Sequence, residues 1–345
     1  MKKALLVAPA VAYLLYRLNA KTSTKKIKGE NAVSEMRMIP VNGTELAVMI
    51  RGTDRDNPVL LCVSGGPAAT EIPYMKKYER KMEERFTIVH YDQRGSGKSY
   101  SFTEDYSGLD YHKHVDDLIA LTEYIREYLN KDKIYILGHS YGSYLGFQAV
   151  DRKPEYYKAY IGVGQVSDMT KSENYILETC IEAAREKGDE KDVKELESLK
   201  EKVRSGESLC PRKYVRKYKF NEREEHHELR DLLLTVAFGK EYNIMDAVKA
   251  VIASKKYSYP LAMEALGNPL TEIVKEVKIP SYFLLGKYDG MTSPKAAKEY
   301  FDSLDGDAKK EFVIFDNSAH SPQIEENEAF VSWMFDVLLQ ENEKE

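Results

Sequence analysis

Residues 138–142, Gly-His-Ser-Tyr-Gly, place a serine between two glycines where a strand pattern gives way to a helix pattern. The preceding run 134–137 is apolar and rich in strand-forming residues, and apolar residues recur at helical spacing after it. A Gly-x-Ser-x-Gly segment in this context predicts a sharp turn that holds the serine hydroxyl clear of the sheet. The glycines are expected where a Cβ atom would collide with the neighbouring chain. Ser140 is therefore predicted to be the nucleophile of an acyl transfer.

A serine hydroxyl needs a histidine to accept its proton and a carboxylate to orient that histidine. In a parallel sheet these groups must follow the carboxyl ends of strands, and the chain order serine, acid, histidine is typical. Asp289 and His320 each come directly after an apolar, strand-like run. They are predicted to be the orienting acid and the general base. Asp168, which follows the strand-like run 160–163, remains an alternative acid.

The oxyanion formed during acyl transfer needs backbone N–H donors aimed at it. Tyr141, directly after the serine, is predicted to supply one donor. The second is expected from the loop that follows the run 59–63, where the sequence is Ser-Gly-Gly-Pro-Ala. Paired glycines let a backbone approach the substrate closely, so Gly66 is the predicted second donor.

The remaining histidines and cysteines do not indicate a metal or a cofactor. His90 and His139 are predicted to pack within or beside the core, and the pair at 226–227 lacks a third ligand at suitable spacing. The three cysteines are widely separated and match neither a disulfide framework nor zinc spacing: Cys62, Cys180 and Cys210. Residues 91–99 contain glycines and a lysine without the spacing of a phosphate-binding loop, so a structural turn braced by Asp92 and Arg94 is expected.

Composition supports a globular α/β protein that does not bind nucleic acid. The chain has 345 residues, of which 43% are hydrophobic and 31% charged, with a formal net charge of -5. That charge balance creates no basic field for nucleic acid. A small molecule or a short peptide is the expected substrate, and composition does not define an oligomeric state.

The strand and helix patterns alternate, which predicts a parallel sheet. A hairpin is expected around Asn42-Gly43, and a helix is expected over residues 74–85. Further helices are expected over 115–129, over 294–304 and to about residue 339. The predicted organisation is an N-terminal segment (1–35), a first core part (36–166), a helical cap (167–268) and a second core part (269–345).

The N-terminal segment begins with two lysines and an apolar run over residues 4–16, and further basic residues follow. The run is shorter than the ~20 residues that a spanning helix needs. It is interpreted as a membrane-associating or uncleaved export segment, or alternatively as an amphipathic helix docked on the body. Membrane association is the favoured interpretation; without it a cytoplasmic protein is expected.

Five features together resemble the prolyl aminopeptidase-like branch (peptidase family S33) of the α/β-hydrolase superfamily: residues 64–68, the Asp-Gln-Arg-Gly-Ser-Gly-Lys-Ser segment at 92–99, residues 138–142, Asp289 and His320. The resemblance covers about residue 36 to the C-terminus, and the segment at 92–99 is its most specific part. It implies a mostly parallel eight-stranded sheet flanked by helices, with a helical cap inserted between strands six and seven. It also implies a triad of Ser140, Asp289 and His320.

The sequence departs from that branch at positions that concern the substrate. Ser64 stands where the family usually has histidine, Ala68 replaces a glycine, and Tyr141 replaces a common tryptophan. The predicted cap has no tryptophan, and the one tryptophan of the chain is Trp333. The expected activity is therefore ester or amide hydrolysis, either as an aminopeptidase or as a small-molecule esterase; a non-catalytic ligand-binding protein is the alternative. Three cap residues are predicted to contact substrate: Glu173, Tyr175 and Glu178.

Overall fold

The computed structural model describes residues 12–13, 15–18, 20–223 and 228–339. Within these ranges the chain forms one eight-stranded sheet of order β1-β2-β4-β3-β5-β6-β7-β8. The strands are β1 (Val33–Val41), β2 (Thr44–Gly52), β3 (Val59–Val63), β4 (Thr87–Tyr91), β5 (Ile134–His139), β6 (Tyr157–Val163), β7 (Ser281–Gly286) and β8 (Lys310–Phe315). β2 runs antiparallel to β1 and β4, and the other neighbours are parallel. The predicted α/β-hydrolase architecture is confirmed.

The central strands are buried along their whole length because helices cover both faces of the sheet. The helices of the core are α1 (Tyr111–Tyr128), α2 (Tyr141–Arg152), α9 (Leu270–Ile273), α10 (Pro294–Ser303), α11 (Pro322–Glu325) and α12 (Asn327–Trp333), and a π-helical turn Met334–Leu339 follows. One apolar cluster joins the sheet to α1, α2 and α10, and a second joins it to α12 and the π-helical turn.

A group of helices lies between β6 and β7, as expected for a cap: α3 (Met169–Glu186), α4 (Glu190–Glu197), α5 (Lys200–Arg204), α6 (Arg212–Lys217), α7 (Glu228–Phe238) and α8 (Ile244–Gly267). The helices α3 to α6 share an apolar core of their own, built around Ile176, Cys180 and Leu196. The boundaries inferred from the sequence, 167 and 268, stay a prediction.

The prediction of a helix over residues 74–85 is wrong. The structure has two short 3₁₀ turns there, Met75–Lys77 and Met82–Glu84. Two glutamates of this stretch turn inward: Glu79 bonds His90, and Glu83 bonds Arg51. Propensity favoured a helix, but buried ion pairs with two strands fix a different backbone path.

The described part of the N-terminal segment is helical at residues 12–13 and 15–18 and contacts the cap. The Tyr13 hydroxyl donates to the carbonyl of Ala237, and the Arg17 guanidinium donates to the carbonyls of Val236 and Tyr242 at 2.6 and 2.7 Å. Most of the apolar run 4–16 lies outside the described residues. In the part of the chain that the structure describes, no helix has the length and apolarity to cross a bilayer.

Candidate active site

Ser140 occupies a strained turn between β5 and α2. Its φ of 54° and ψ of -123° are rare for a residue with a side chain. The turn is held because the N–H of Ser140 donates to the carbonyl of Val163 at 2.8 Å. A Cβ on Gly142 would lie 1.9 Å from the carbonyl oxygen of Val63, and one on Gly138 would lie 2.5 Å from that of Gly142. Both glycines are thus required for the packing of α2 against the sheet.

Asp289 and His320 meet at the carboxyl ends of β7 and β8. Both carboxylate oxygens of Asp289 lie 3.0 Å from Nδ1 of His320. The alternative acid, Asp168, instead caps α3 by accepting the N–H of Lys171 at 2.9 Å. Of the two acids left open by the sequence, the structure therefore brings Asp289 to His320.

Asp289 is held as an acceptor by its own loop. Its carboxylate accepts the N–H groups of Met291 and Thr292 at 2.8 and 2.9 Å, and the Thr292 hydroxyl at 2.7 Å. Burial opposes the charge, but the attraction and hydrogen bond of His320 and the bonds from Thr292 outweigh it, so the pKa of Asp289 lies below its ordinary value. Asp289 is accordingly an ionised acceptor at neutral pH.

His320 lies beside the serine turn. A Cβ on Gly164 would lie 3.0 Å from Cε1 of His320, and Gly164 directly follows Val163, the residue that accepts the N–H of Ser140. The rings of His139 and His320 have centroids 5.0 Å apart. The imidazole of His320 is about one-tenth exposed, with a side-chain exposure of 11%, whereas the side chain of Asp289 is fully buried.

The Ser-Gly-Gly-Pro-Ala loop passes next to the serine. A Cβ on Gly65 would lie 3.1 Å from Cβ of Ser140. Gly66 has a φ of +120° that favours glycine, and the peptide bond to Pro67 is cis. Tyr141 is the first residue of α2, where a backbone N–H has no acceptor within the helix. Tyr141 thus follows the serine directly, and Gly66 adjoins the residue that passes next to it; their role as oxyanion donors stays a prediction.

A buried glutamate that the sequence reasoning missed links these loops. Glu71 accepts the N–H of Gly65 at 3.3 Å and pairs with Nδ1 of His139 at 2.9 Å. Nε2 of His139 lies 3.2 Å from the carbonyl oxygen of His320. His139 was expected only to pack beside the core; no local pattern in the sequence marks Glu71 as its partner.

The turn at 91–99 is structural, as expected. The buried carboxylate of Asp92 accepts the Thr70 hydroxyl at 2.5 Å, the N–H of Lys98 at 2.7 Å and the Tyr242 hydroxyl. Burial raises the pKa of Asp92 to about 6, against the lowering effect of these hydrogen bonds. Since Tyr242 belongs to the stretch between α7 and α8, Asp92 joins the cap to the core.

The three predicted substrate contacts in the cap all have protein partners. Glu173 is buried, bonds the Arg212 guanidinium with both oxygens at 2.5 and 2.9 Å, and accepts the N–H of Cys210. Tyr175 donates to Glu299 at 2.6 Å, and Glu178 lies 3.2 Å from the ammonium group of Lys200. Their role toward a substrate stays a prediction.

A cleft of about 440 Å³ lies between α3 and the loop of Asp289. Tyr175, Glu178 and Phe220 line it together with the Asp289 loop, whereas Ser140 and His320 are not among its lining residues within the described chain. The cap contacts His320 outside this cleft, because the carbonyl of Asn221 accepts the N–H of His320 at 3.4 Å.

One buried group in the described ranges has the donor types of a metal site. Ligand atoms of Cys62, Glu79 and His90 lie within 4.8 Å of one another. Glu79 and His90 already bond each other at 2.9 Å, and burial raises the pKa of the Cys62 thiol to about 11, which disfavours the thiolate that a metal would need. The three cysteines are free and buried. The histidines at 226–227 lie outside the described residues.

The eight-stranded, mostly parallel sheet flanked by helices defines the chain as an α/β-hydrolase-fold protein. A family model described as "alpha/beta hydrolase fold" matches residues 58–186. The chain is 29% identical over 315 residues to the probable aminopeptidase YbaC of Bacillus subtilis (strain 168), covering 89% of this chain and 96% of that relative. It is 27% identical to the proline iminopeptidase of Heyndrickxia coagulans, covering 73% and 81%.

Solved structures agree with this fold. A proline iminopeptidase of Mycobacterium smegmatis matches with a TM-score of 0.63 and 16% identity, covering 89% of this chain and 98% of that one. A proline iminopeptidase-related protein of Thermus thermophilus matches with a TM-score of 0.58 and 20% identity, covering 86% and 94%. The resemblance to prolyl aminopeptidase-like α/β-hydrolases is confirmed, and the protein is a hydrolase of the peptidase or esterase type.

Proposed function

We propose that the protein is a serine hydrolase that cleaves an ester or amide bond through an acyl-enzyme on Ser140. His320 takes the proton of the Ser140 hydroxyl as it attacks the carbonyl, and returns it to the leaving group. Asp289 keeps the proton of His320 on Nδ1, so that Nε2 is free to act as the base. The N–H groups of Gly66 and Tyr141 stabilise the oxyanion.

One observation carries this proposal: the 3.0 Å contact between Asp289 and Nδ1 of His320, beside a serine whose φ is 54°. A serine with a strained backbone beside a histidine–carboxylate pair is the arrangement that a nucleophile turn requires. The bonds from Met291 and Thr292 leave Asp289 an ionised acceptor, which is the state that orients a histidine.

A fluorophosphonate probe tests the nucleophile, because it reacts with activated serines. We expect the probe to label the wild-type protein on Ser140, and we expect Ser140→Ala and His320→Ala to remain unlabelled while folded. Peptide mapping by mass spectrometry locates the label. A folded wild-type protein that stays unlabelled contradicts the proposal, and so does labelling of Ser140→Ala.

An aminopeptidase or prolyl iminopeptidase-like activity is favoured, with a small-molecule esterase as the rival. The similarity to an aminopeptidase and to proline iminopeptidases supports it. Glu222 directly follows Asn221, whose carbonyl accepts the N–H of His320, so this half-buried residue is the candidate that we assign to the substrate amino group. Glu222→Gln should raise KM for proline p-nitroanilide and leave KM for p-nitrophenyl acetate unchanged; equal effects on both substrates contradict this.

We also propose that the outer face of the cap rests on an anionic membrane surface. Large apolar side chains are exposed on the described part of the N-terminal segment, on α7 and on α8: Tyr13, Leu15, Tyr16, Leu233, Leu234, Phe238, Val248, Val251 and Tyr259. On α8 the exposed positions 248, 251 and 259 share one side, opposite to Ala253, Tyr257 and Leu261, which pack on the core.

The charges around this outer face fit anionic lipid. Between residues 233 and 263 both acidic side chains, Glu241 and Asp246, are buried and paired with Lys76 and Lys98. The remaining charged side chains of that stretch are lysines, although the whole chain carries a net charge of -5. Apolar side chains interleaved with lysines are typical of surfaces that lie on membranes.

Sedimentation with vesicles tests this surface. The wild-type protein should bind vesicles containing phosphatidylglycerol, bind phosphatidylcholine vesicles weakly, and lose binding in high salt. Phe238→Ser should weaken binding, whereas Ile314→Ser, which removes an exposed apolar side chain on β8, should not. Failure of the wild type to bind either vesicle contradicts the proposal, and a concentration-dependent dimer that Phe238→Ser disrupts would assign the face to a second copy instead.

A further inference from the structure

Glu71 and His139 connect the three loops that surround Ser140. A single oxygen of Glu71, Oε1, accepts the N–H of Gly65 at 3.3 Å and faces Nδ1 of His139 at 2.9 Å. The opposite nitrogen of the same ring, Nε2, lies 3.2 Å from the carbonyl oxygen of His320. The oxyanion loop, the residue before the nucleophile and the loop of the base are thus joined through one carboxylate and one ring.

Both ring nitrogens of His139 face groups that only accept hydrogen bonds. A neutral imidazole has one N–H donor and one acceptor nitrogen, whereas a cationic imidazole has two donors. The carbonyl of His320 cannot donate, and an ionised carboxylate cannot donate either. The pKa of Glu71 lies below its ordinary value, because the hydrogen bond and charge of His139 and the N–H of Gly65 outweigh its burial. The acceptors therefore assign two protons to the His139 ring.

We propose that Glu71 and His139, paired as carboxylate and imidazolium, are positioning residues that fix the oxyanion loop, the nucleophile turn and the base loop relative to one another. This inference rests on the proposed function. Acyl transfer needs the donors of the oxyanion and the base within a fraction of an ångström of their working places. Both members are buried, with exposures of 5% for Glu71 and 7% for His139, so the connection is shielded from solvent.

The titratable groups around His139 determine how a positive charge on its ring affects the base, His320. His320, with its ring 5.0 Å away, becomes cationic during the reaction, and a second cation nearby disfavours that state. The negative charge of Glu71 offsets the cation on His139. His90 and Glu79 lie across a small buried cavity that they line together with Glu71 and His139. The His139 ring thus supplies two N–H donors, and because Glu71 neutralises its charge, the pair adds no net charge beside His320.

The Glu79–His90 pair provides a matched internal control. It is also a buried carboxylate–imidazole contact, with Nε2 of His90 2.9 Å from Glu79. Within the described chain its hydrogen bonds join β4 to the turn before it and to Cys62 on β3, and they reach none of the three loops. Substituting Glu71 or Glu79 therefore disturbs a buried carboxylate–imidazole pair in both cases. Only the Glu71–His139 pair connects the three loops around Ser140.

Kinetics of Glu71→Gln and Glu79→Gln with p-nitrophenyl acetate test the proposal. Glu71→Gln should lower kcat about tenfold and leave KM within about twofold, because ground-state binding does not use the pair. Its deficit relative to wild type should shrink as the pH falls, since protonation of His139 restores the second N–H donor. Glu79→Gln should keep a kcat near that of wild type. Glu71→Asp, which retains the charge, should recover part of the loss.

Nitrogen-15 NMR of the histidine rings provides a readout that needs neither a variant nor activity. Near neutral pH we expect both ring nitrogens of His139 to be protonated in the wild-type protein. A neutral His139 overturns the proposal, and so does Glu71→Gln with wild-type kcat and pH profile, or an equal loss in Glu79→Gln. If the fluorophosphonate fails to label Ser140, the proposed hydrolase function fails on its own, while the NMR result still decides the pairing.

Discussion

Thr292 and His320 bind the same carboxylate from two sides. The Thr292 hydroxyl donates to Oδ2 of Asp289 at 2.7 Å, and Nδ1 of His320 lies 3.0 Å from that same oxygen. Because the hydroxyl and the imidazole share Oδ2, rotation of the carboxylate would break a buried hydrogen bond. The orientation of the His320 ring is therefore set by the loop of Asp289 as well as by the loop that carries His320.

Asp289→Asn should abolish most of the activity while keeping the fold. An amide at this position can donate to Nδ1, which favours the wrong tautomer of His320 and removes the free Nε2. We expect kcat with p-nitrophenyl acetate to fall roughly ten-thousandfold, with a small change in melting temperature. Steady-state kinetics and thermal denaturation measure both.

Asp168→Asn is the matched control for that substitution. Asparagine caps a helix about as well as aspartate, so α3 should keep its N-terminus and the activity should stay at the wild-type level. If Asp168→Asn is the inactive variant and Asp289→Asn retains kcat, the assignment of the acid is wrong.

Gly142→Ala should destabilise the core. Its Cβ would lie 1.9 Å from the carbonyl oxygen of Val63, so α2 would have to move away from β3. We expect a loss of about 3 kcal/mol or more in the free energy of unfolding, together with lost fluorophosphonate labelling. Gly267→Ala, at the end of α8 with no atom within 4 Å of the new Cβ, should change stability by less than about 1 kcal/mol. Equal effects of the two substitutions in urea denaturation would contradict the steric argument.

The sheet and the reactive loops could be predicted because each depends on a local pattern. The runs that become β3, β5 and β7 are continuously apolar, and buried parallel strands require that. The loops carrying Ser140 and Asp289 follow two of these runs, and the loop of His320 follows the half-buried strand β8 at the end of the sheet. Chain order and strand ends were sufficient to predict all three residues, with Asp168 as an alternative acid, and the coordinates add that Asp289 is the acid that contacts His320.

The partners of the positioning groups could not be predicted because they are distant in sequence. Glu71 meets His139 across 68 residues, and Asp92 meets Tyr242 across 150 residues. A lone glutamate in an irregular segment carries no periodicity that marks it as buried. The same cause explains the wrong helix at 74–85, where Glu79 and Glu83 gain buried partners that an exposed helix would deny them.

Glu173→Gln should separate a structural from a substrate-binding role in the cap. Glu173 is almost fully buried and bonds Arg212 through both oxygens, so the substitution leaves a guanidinium without its counter-charge. We expect a loss of about 3 kcal/mol in stability and an unchanged KM for aminoacyl arylamides. Glu178→Gln, whose carboxylate is 44% exposed beside Lys200, should cost less than about 1 kcal/mol. A raised KM for Glu173→Gln with little loss of stability would make Glu173 a substrate contact.

Asp92 should make stability depend on pH with a sign opposite to that of most carboxylates. Burial raises its pKa to about 6 from an ordinary value of 3.8, so between these values the folded state holds a proton that the unfolded chain has released. The contribution of Asp92 to stability therefore increases as the pH falls through this window. The destabilising effect of its charge is fully present only above about pH 6, and the difference between the two pKa values corresponds to about 3 kcal/mol.

Asp92→Asn isolates this effect, because the amide does not titrate. The substitution changes the bonds with Thr70, Lys98 and Tyr242 by an amount that is the same at every pH. The free energy of unfolding of wild type minus that of Asp92→Asn should therefore fall by about 2 kcal/mol between pH values near 4 and near 7. Urea denaturation of both proteins across this range measures the difference. A difference that stays constant, or that rises with pH, would mean that Asp92 is ionised in the folded protein throughout the range.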